Sequence, residues 1–210
     1  IMNAIGWGAS FGIAPFSDLG YEQAFDPKGE LNYEILNTGD GGITKFYFGN
    51  GFQVAKNLFV GVSVGYLFGE MERSRIREFG FNERFLSSRT VTSQRLGDFI
   101  FEGGLQYNRQ LSENYELLIG AKARIPKDVS YTVDATTFTY PNNPSISFEE
   151  LKRLGGVDTV NQTTEKTRNI SLPGSYKTTI ALQKNNDWKV GLGIVHERWS
   201  NLQLGEQPKD

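Results

Sequence analysis

The stretch Leu58-Phe59-Val60-Gly61-Val62-Ser63-Val64-Gly65-Tyr66-Leu67-Phe68-Gly69 decides the fold. Leu58, Val60, Val62, Val64, Tyr66 and Phe68 fall on one parity, and Phe59, Gly61, Ser63, Gly65, Leu67 and Gly69 on the other. Side chains point to opposite faces at every second residue only in an extended strand, so this period of two excludes a helix. One face is uniformly large and apolar, while the other is small rather than charged.

Working outward, the same rhythm recurs. Ile5, Trp7, Ala9, Phe11 and Ile13 alternate with Gly6, Gly8, Ser10 and Gly12. From Thr44 to Val54, Phe46, Phe48, Phe52 and Val54 oppose Lys45, Tyr47, Gly49, Gly51 and Gln53, with Asn50 the one polar member of the apolar side. Phe99, Phe101, Leu105 and Tyr107 oppose Asp98, Glu102, Gln106 and Asn108, and Tyr115, Leu117, Ile119 and Ala121 oppose Glu116, Lys122 and Arg124. In the stretch from Leu172 to Leu182, Tyr176, Ile180 and Leu182 oppose Lys177, with Gln183 continuing its parity. Trp188, Val190, Leu192 and Ile194 oppose Lys189, Gly191 and Gly193. Seven strands are expected, each with one dry and one wet face.

The connections alternate in length. Ala55-Lys56-Asn57, Arg109 to Asn114 and Lys184-Asn185-Asn186-Asp187 are short and rich in turn residues, whereas Ala14 to Gly42, Glu70 to Gly97 and Pro126 to Ser171 are long. A transmembrane barrel has this alternation, with short periplasmic turns and long extracellular loops. Much of each long link is expected to be strand rising past the membrane. Tyr107, Tyr115 and Trp188 stand beside short turns on the apolar parity, with Tyr66 and Phe68 at the opposite end, as two interfacial girdles would require.

Composition sets further bounds. The 210 residues include 24 glycines and no cysteine, with a net charge of −2. Disulfides, thiolate metal sites and cysteine nucleophiles are excluded. Interspersed charge leaves no basic footprint for nucleic acid. No apolar run approaches the ~18–20 residues of a spanning helix, so a membrane form would have to be a closed barrel. A soluble β-sandwich or lipocalin-like barrel also alternates, but does not sort its aromatics to strand ends.

Residues 1–210 are therefore expected to form part of one all-β domain, a transmembrane up-and-down antiparallel β-barrel of the bacterial outer membrane that crosses it several times. The odd strand number, the lack of a signal peptide before Ile1-Met2-Asn3-Ala4 and the ending Gln207-Pro208-Lys209-Asp210 lead to the expectation of an internal segment. Within the longest link, Ser147 with Glu150 forms a capping box, and Gly155-Gly156 supplies a stop. A short helix over 148–154, in an extracellular loop, follows.

The chain resembles the FadL-like outer-membrane proteins, transporters of long-chain fatty acids and toluene, in the divergent form found in Bacteroidota. The resemblance is carried by Gly6-Trp7-Gly8, Phe11-Gly12-Ile13-Ala14-Pro15-Phe16-Ser17 with Gly20-Tyr21, Gly39-Asp40-Gly41-Gly42-Ile43, Ala55-Lys56-Asn57-Leu58 and Val64 to Gly69. It covers the first half; the second half matches only in strand rhythm. It implies a full barrel of about fourteen strands, passive uptake of hydrophobic or amphipathic small molecules, and an N-terminal hatch that would lie upstream.

The polar set of interest is Lys45, Asp98, Glu102, Glu116, Lys122, Arg124, Lys177 and Lys189, all on the lumen parity. Toward lipid, a lysine or arginine near the midplane would cost about 2–4 kcal/mol, so these side chains must turn inward. They read either as a solvated, mutually paired lining or as a throat that orients a substrate head group; Lys122 and Arg124 sharing one strand face motivates the second. The single histidine, His196, has no second histidine to work with, so it reads as an interface residue and no enzyme is expected. Asn37-Thr38-Gly39-Asp40-Gly41-Gly42 lacks the lysine and helix of a phosphate loop and reads as a loop-to-strand turn. No role is assigned to the glycosylation-like Asn161-Gln162-Thr163 and Asn169-Ile170-Ser171.

No cofactor or metal is expected. The expected partners are the lipid bilayer and lipopolysaccharide, a hydrophobic small molecule, and other outer-membrane subunits, with no nucleic acid. Uptake is the leading function, and a non-transporting barrel subunit of an outer-membrane assembly or secretion complex is the alternative.

Overall fold

A computed structural model describes residues 6–27, 32–80, 84–143, 145–185 and 187–198, with the side chains of 164–166 left out. Ile5, Asn186 and the stretch 207–210 lie outside the described residues. The strands are β1 (Trp7–Phe25), β2 (Tyr33–Ala55), β3 (Leu58–Phe79), β4 (Ser87–Gln110), β5 (Tyr115–Arg124), β6 (Lys127–Tyr140), β7 (Asp158–Leu172), β8 (Ser175–Lys184) and β9 (Trp188–Glu197), with one helix, α1 (Phe148–Arg153). All pairings among them are antiparallel. The expected all-β, barrel-like fold is therefore present as one curled sheet.

The order is β1-β2-β3-β4-β5-β8-β9, with β6 on the upper part of β4 and β7 on β6. Nine strands appear where seven were expected because two strands are interrupted at the same height. β5 and β6 are parted at Ile125-Pro126, and β7 and β8 at Pro173-Gly174; Lys127 faces Leu172 on one side of the gap and Arg124 faces Ser175 on the other. Proline has no N–H to give to a ladder, so a break there is the expected local consequence.

The long links are mostly strand. β1 and β2 remain paired from Trp7↔Phe52 up to Phe25↔Ile35. Asn37–Gly42, expected as a turn, lies inside β2. Its glycines serve a close approach of β2 and β3 instead: Gly41 has φ +112°, and a Cβ there would strike the Glu70 carbonyl. A Cβ at Gly69 (φ +152°) would strike the Gly42 carbonyl in the same way, so at this height both strands hold a backbone conformation that only glycine tolerates. A helix is present where the capping box placed one, one residue shorter than expected: Ser147 Oγ accepts the Glu150 N–H at 3.3 Å, Leu154 is its C-cap, and Gly155 follows at φ +77°.

The two faces differ sharply. Trp7, Phe11, Ile13, Phe48, Phe101, Leu105, Ile180, Leu192 and Ile194 are exposed on the convex parity. On the concave parity a small core of Ile43, Leu67, Ile100, Val129 and Leu172 is buried, with Leu67 and Val129 at 0% exposure and Phe16, Met71, Leu96 and Ile170 packed against it. Phe16 comes from β1, Val129 from β6 and Leu172 from β7, so side chains of strands at distant places in the sheet order gather in one cluster.

Candidate functional site

The concave trough lies on the short-turn side of that core. Gly8, Gly51, Gly61 and Gly104 are register partners across β1 to β4, and the row continues through Lys122 on β5 to Lys177 on β8. A Cβ at Gly8 would meet nothing, and one at Gly51 or Gly61 nothing nearer than 3.9 and 3.5 Å. The row is therefore floor rather than packing, and it leaves a hollow of about 590 Å³ that Ser10, Ser63, Glu102, Lys122, Lys177 and Thr179 help to line.

Glu102 organises the charges. Its Oε2 lies 2.9 Å from Lys122 Nζ and 3.4 Å from Lys45 Nζ, and also accepts the Ser63 hydroxyl at 3.4 Å. Lys45 starts two strands away and crosses Gly65, where a Cβ would stand 3.1 Å from its Cδ. Glycine at 65 gives the lysine stem its path to the carboxylate.

Two residues of the expected set are occupied structurally. Asp98 lies where β4 loses its neighbour at the Pro126 break. Its Oδ1 accepts the Phe99 N–H at 2.7 Å and Lys127 Nζ at 2.5 Å, while Oδ2 accepts the Ser130 N–H at 3.2 Å. The carboxylate thus replaces the missing ladder partner. Arg124 does not join Lys122: it donates to Glu197 Oε1 at 3.1 Å and to the Pro173 carbonyl at 3.3 Å, and its guanidinium lies 5.6 Å from the Phe16 ring centroid.

Glu116 and Lys189 lie apart, toward the short-turn end, as the partners of Gln183 on either side. The structure therefore gathers Lys45, Glu102, Lys122 and Lys177 at the trough and disperses the other four. Lys127 and Glu197 were missed by the sequence reading. Glu197 continues the parity of Lys189, Gly191 and Gly193 and could have been found; Lys127 follows the break that resets parity. His196 is opposite Tyr176 on the convex parity and lines a smaller hollow of about 420 Å³ with Pro126, Leu172 and Arg198.

The model of the BamG family matches residues 2–207. No curated protein and no solved structure matches. The family match overturns the FadL-like resemblance. The residues that carried it, glycine-aromatic alternation and an Ala-Lys-Asn turn, are requirements of pleated strands with one crowded face and of tight antiparallel links, and so do not distinguish one barrel family from another.

Proposed function

This chain belongs to the BamG family, and from that premise we propose that it is a barrel subunit of the machinery that assembles outer-membrane proteins, rather than a route for solutes. The family match carries this reading, since the family is related to the Bam complex. The uptake reading rested on the FadL-like resemblance and loses its support with it.

Physical features support a place in the outer membrane. On β3 the apolar convex row runs from Leu58 to Phe68. Those ten steps at about 3.3 Å each, on a strand tilted by about 40°, give a band about 25 Å tall, the height of the apolar belt of outer-membrane barrels. Above it, the convex face turns charged, with Arg95 bound to Glu70 at 3.4 Å and to Asp134 at 2.9 Å. The strands would cross the bilayer repeatedly, with α1 and the extensions of β3, β4, β6 and β7 outside it.

The concave core supports a subunit role over passive flow. Ile43, Leu67, Ile100, Val129 and Leu172 fill the hollow of the sheet with side chains where a channel would need water or ligand.

Depletion of the protein tests the role. Folded outer-membrane β-barrels should fall and unfolded precursors accumulate, while uptake of fatty acids through other barrels stays in proportion to those barrels' abundance. Unchanged barrel levels with a selective loss of hydrophobic-solute uptake would contradict it.

A further inference from the structure

We propose that Lys122 and Lys177 form a binding site for an oxyanion, a carboxylate or phosphate group that enters the concave trough. The two lysines are direct cross-strand partners and both line the hollow. Like charges placed opposite one another on a sheet are destabilising, so the pair is a cost unless something negative offsets it.

Among the described residues one carboxylate, that of Glu102, offsets Lys122, and none is paired with Lys177. Among the described residues lining the trough, Glu102 is the one acid, and its Oε2 is already shared by Lys122, Lys45 and Ser63. Asp98 is engaged by Lys127, and Glu197 holds Arg124. Lys122 and Lys45 share the Glu102 carboxylate, and Lys177, whose stem passes Gly193, adds a third ammonium group, an excess of two positive charges beside about 590 Å³ of open space.

The surroundings suit an anion with a carrier attached. Beside the lysines, the Gly104, Gly61 and Gly51 floor has no side chain to obstruct a segment lying across it. The hydroxyls of Ser10 and Thr179 lie at its borders, that of Thr179 donating to the Gly120 carbonyl at 3.5 Å. Lysines bind carboxylate and phosphate alike as point charges, so the two sources share one chemistry.

The inference is independent of the assembly role and is tested on the full chain in detergent with inorganic phosphate and, separately, acetate. Ionic strength is held constant with chloride while acylation of each lysine is followed by mass spectrometry. At ten times its half-saturating concentration, a bound anion should slow labelling of Lys177 about tenfold by mass action. Lys56, in the β2–β3 turn, and Lys189 should not change.

Protection by phosphate at the lower concentration assigns a phosphate source, and protection by acetate at the lower concentration a carboxylate source. K177Q should abolish the protection of Lys122. Absence of protection by either anion, equal slowing at all four lysines, or undiminished protection of Lys122 in K177Q would overturn the site.

Discussion

The Arg124 guanidinium lies 5.6 Å from the centroid of the Phe16 ring. Arg124 is on β5 and Phe16 on β1, four strand spacings apart. In a flat sheet that separation is about 19 Å. The contact thus measures the curl. Phe16→Ala should destabilise the barrel by about 2–4 kcal/mol, near the low end because Phe16 is only partly buried. Chemical denaturation followed by tryptophan fluorescence reads the change.

Leu67 and Val129 have no exposed surface. Leu67→Ala should cost about 2–5 kcal/mol, whereas Val62→Ala, on the exposed convex row, should cost much less in detergent. If the two substitutions were equal, the concave core would not be what holds the curl.

Glu102 is the common partner of two lysines and a serine, and its side chain is 11% exposed. Glu102→Gln should cost about 1–3 kcal/mol because it leaves buried donors without their charged acceptor. Lys122 is half exposed, so Lys122→Gln should cost less than about 1 kcal/mol. Equal losses would show that the pair acts as an isolated contact rather than through the carboxylate.

Asp98→Ala should expose the ladder gap at Pro126. The Ser130 and Phe99 amides would lose their acceptor, at about 1–3 kcal/mol. Hydrogen exchange should accelerate at these two amides more than at Gly104 or Leu105, which retain backbone partners on β5.

Tyr140 lies outside the apolar band. Burial, and then the Glu78 carboxylate 3.5 Å from its hydroxyl, push its pKa up to about 12. The ordinary value is 10, so the neutral phenol is favoured in the fold. Its contribution is complete below pH 10 and is lost as pH rises through about 12, a change of about 2–3 kcal/mol. Ultraviolet titration should show a late-ionising tyrosine that is missing from Tyr140→Phe.

Much of the fold was legible because alternation is a local signal. The convex row of β3, the short turns and the capping box of α1 each depend on neighbours within a few residues, and each is where the pattern placed it. The division of β5 from β6 was not, since Pro126 resets the parity and only the partner strand shows where it resumes. The site was half legible for the same reason. Parity turned Lys122 and Arg124 to one face, but whether they act together depends on Glu102 and Glu197, which come from different strands. The family was not legible, since the motifs quoted for it are ones that barrel strands and turns need generally.

The most direct test of the assembly role is mild extraction of the native protein from the outer-membrane fraction, affinity capture, and measurement of what accompanies it. Subunits of the barrel-assembly machinery should be recovered in stoichiometric amounts and should remain through exchange into a second detergent. Recovery of the protein alone, with a hydrophobic small molecule held inside the barrel, would contradict the account.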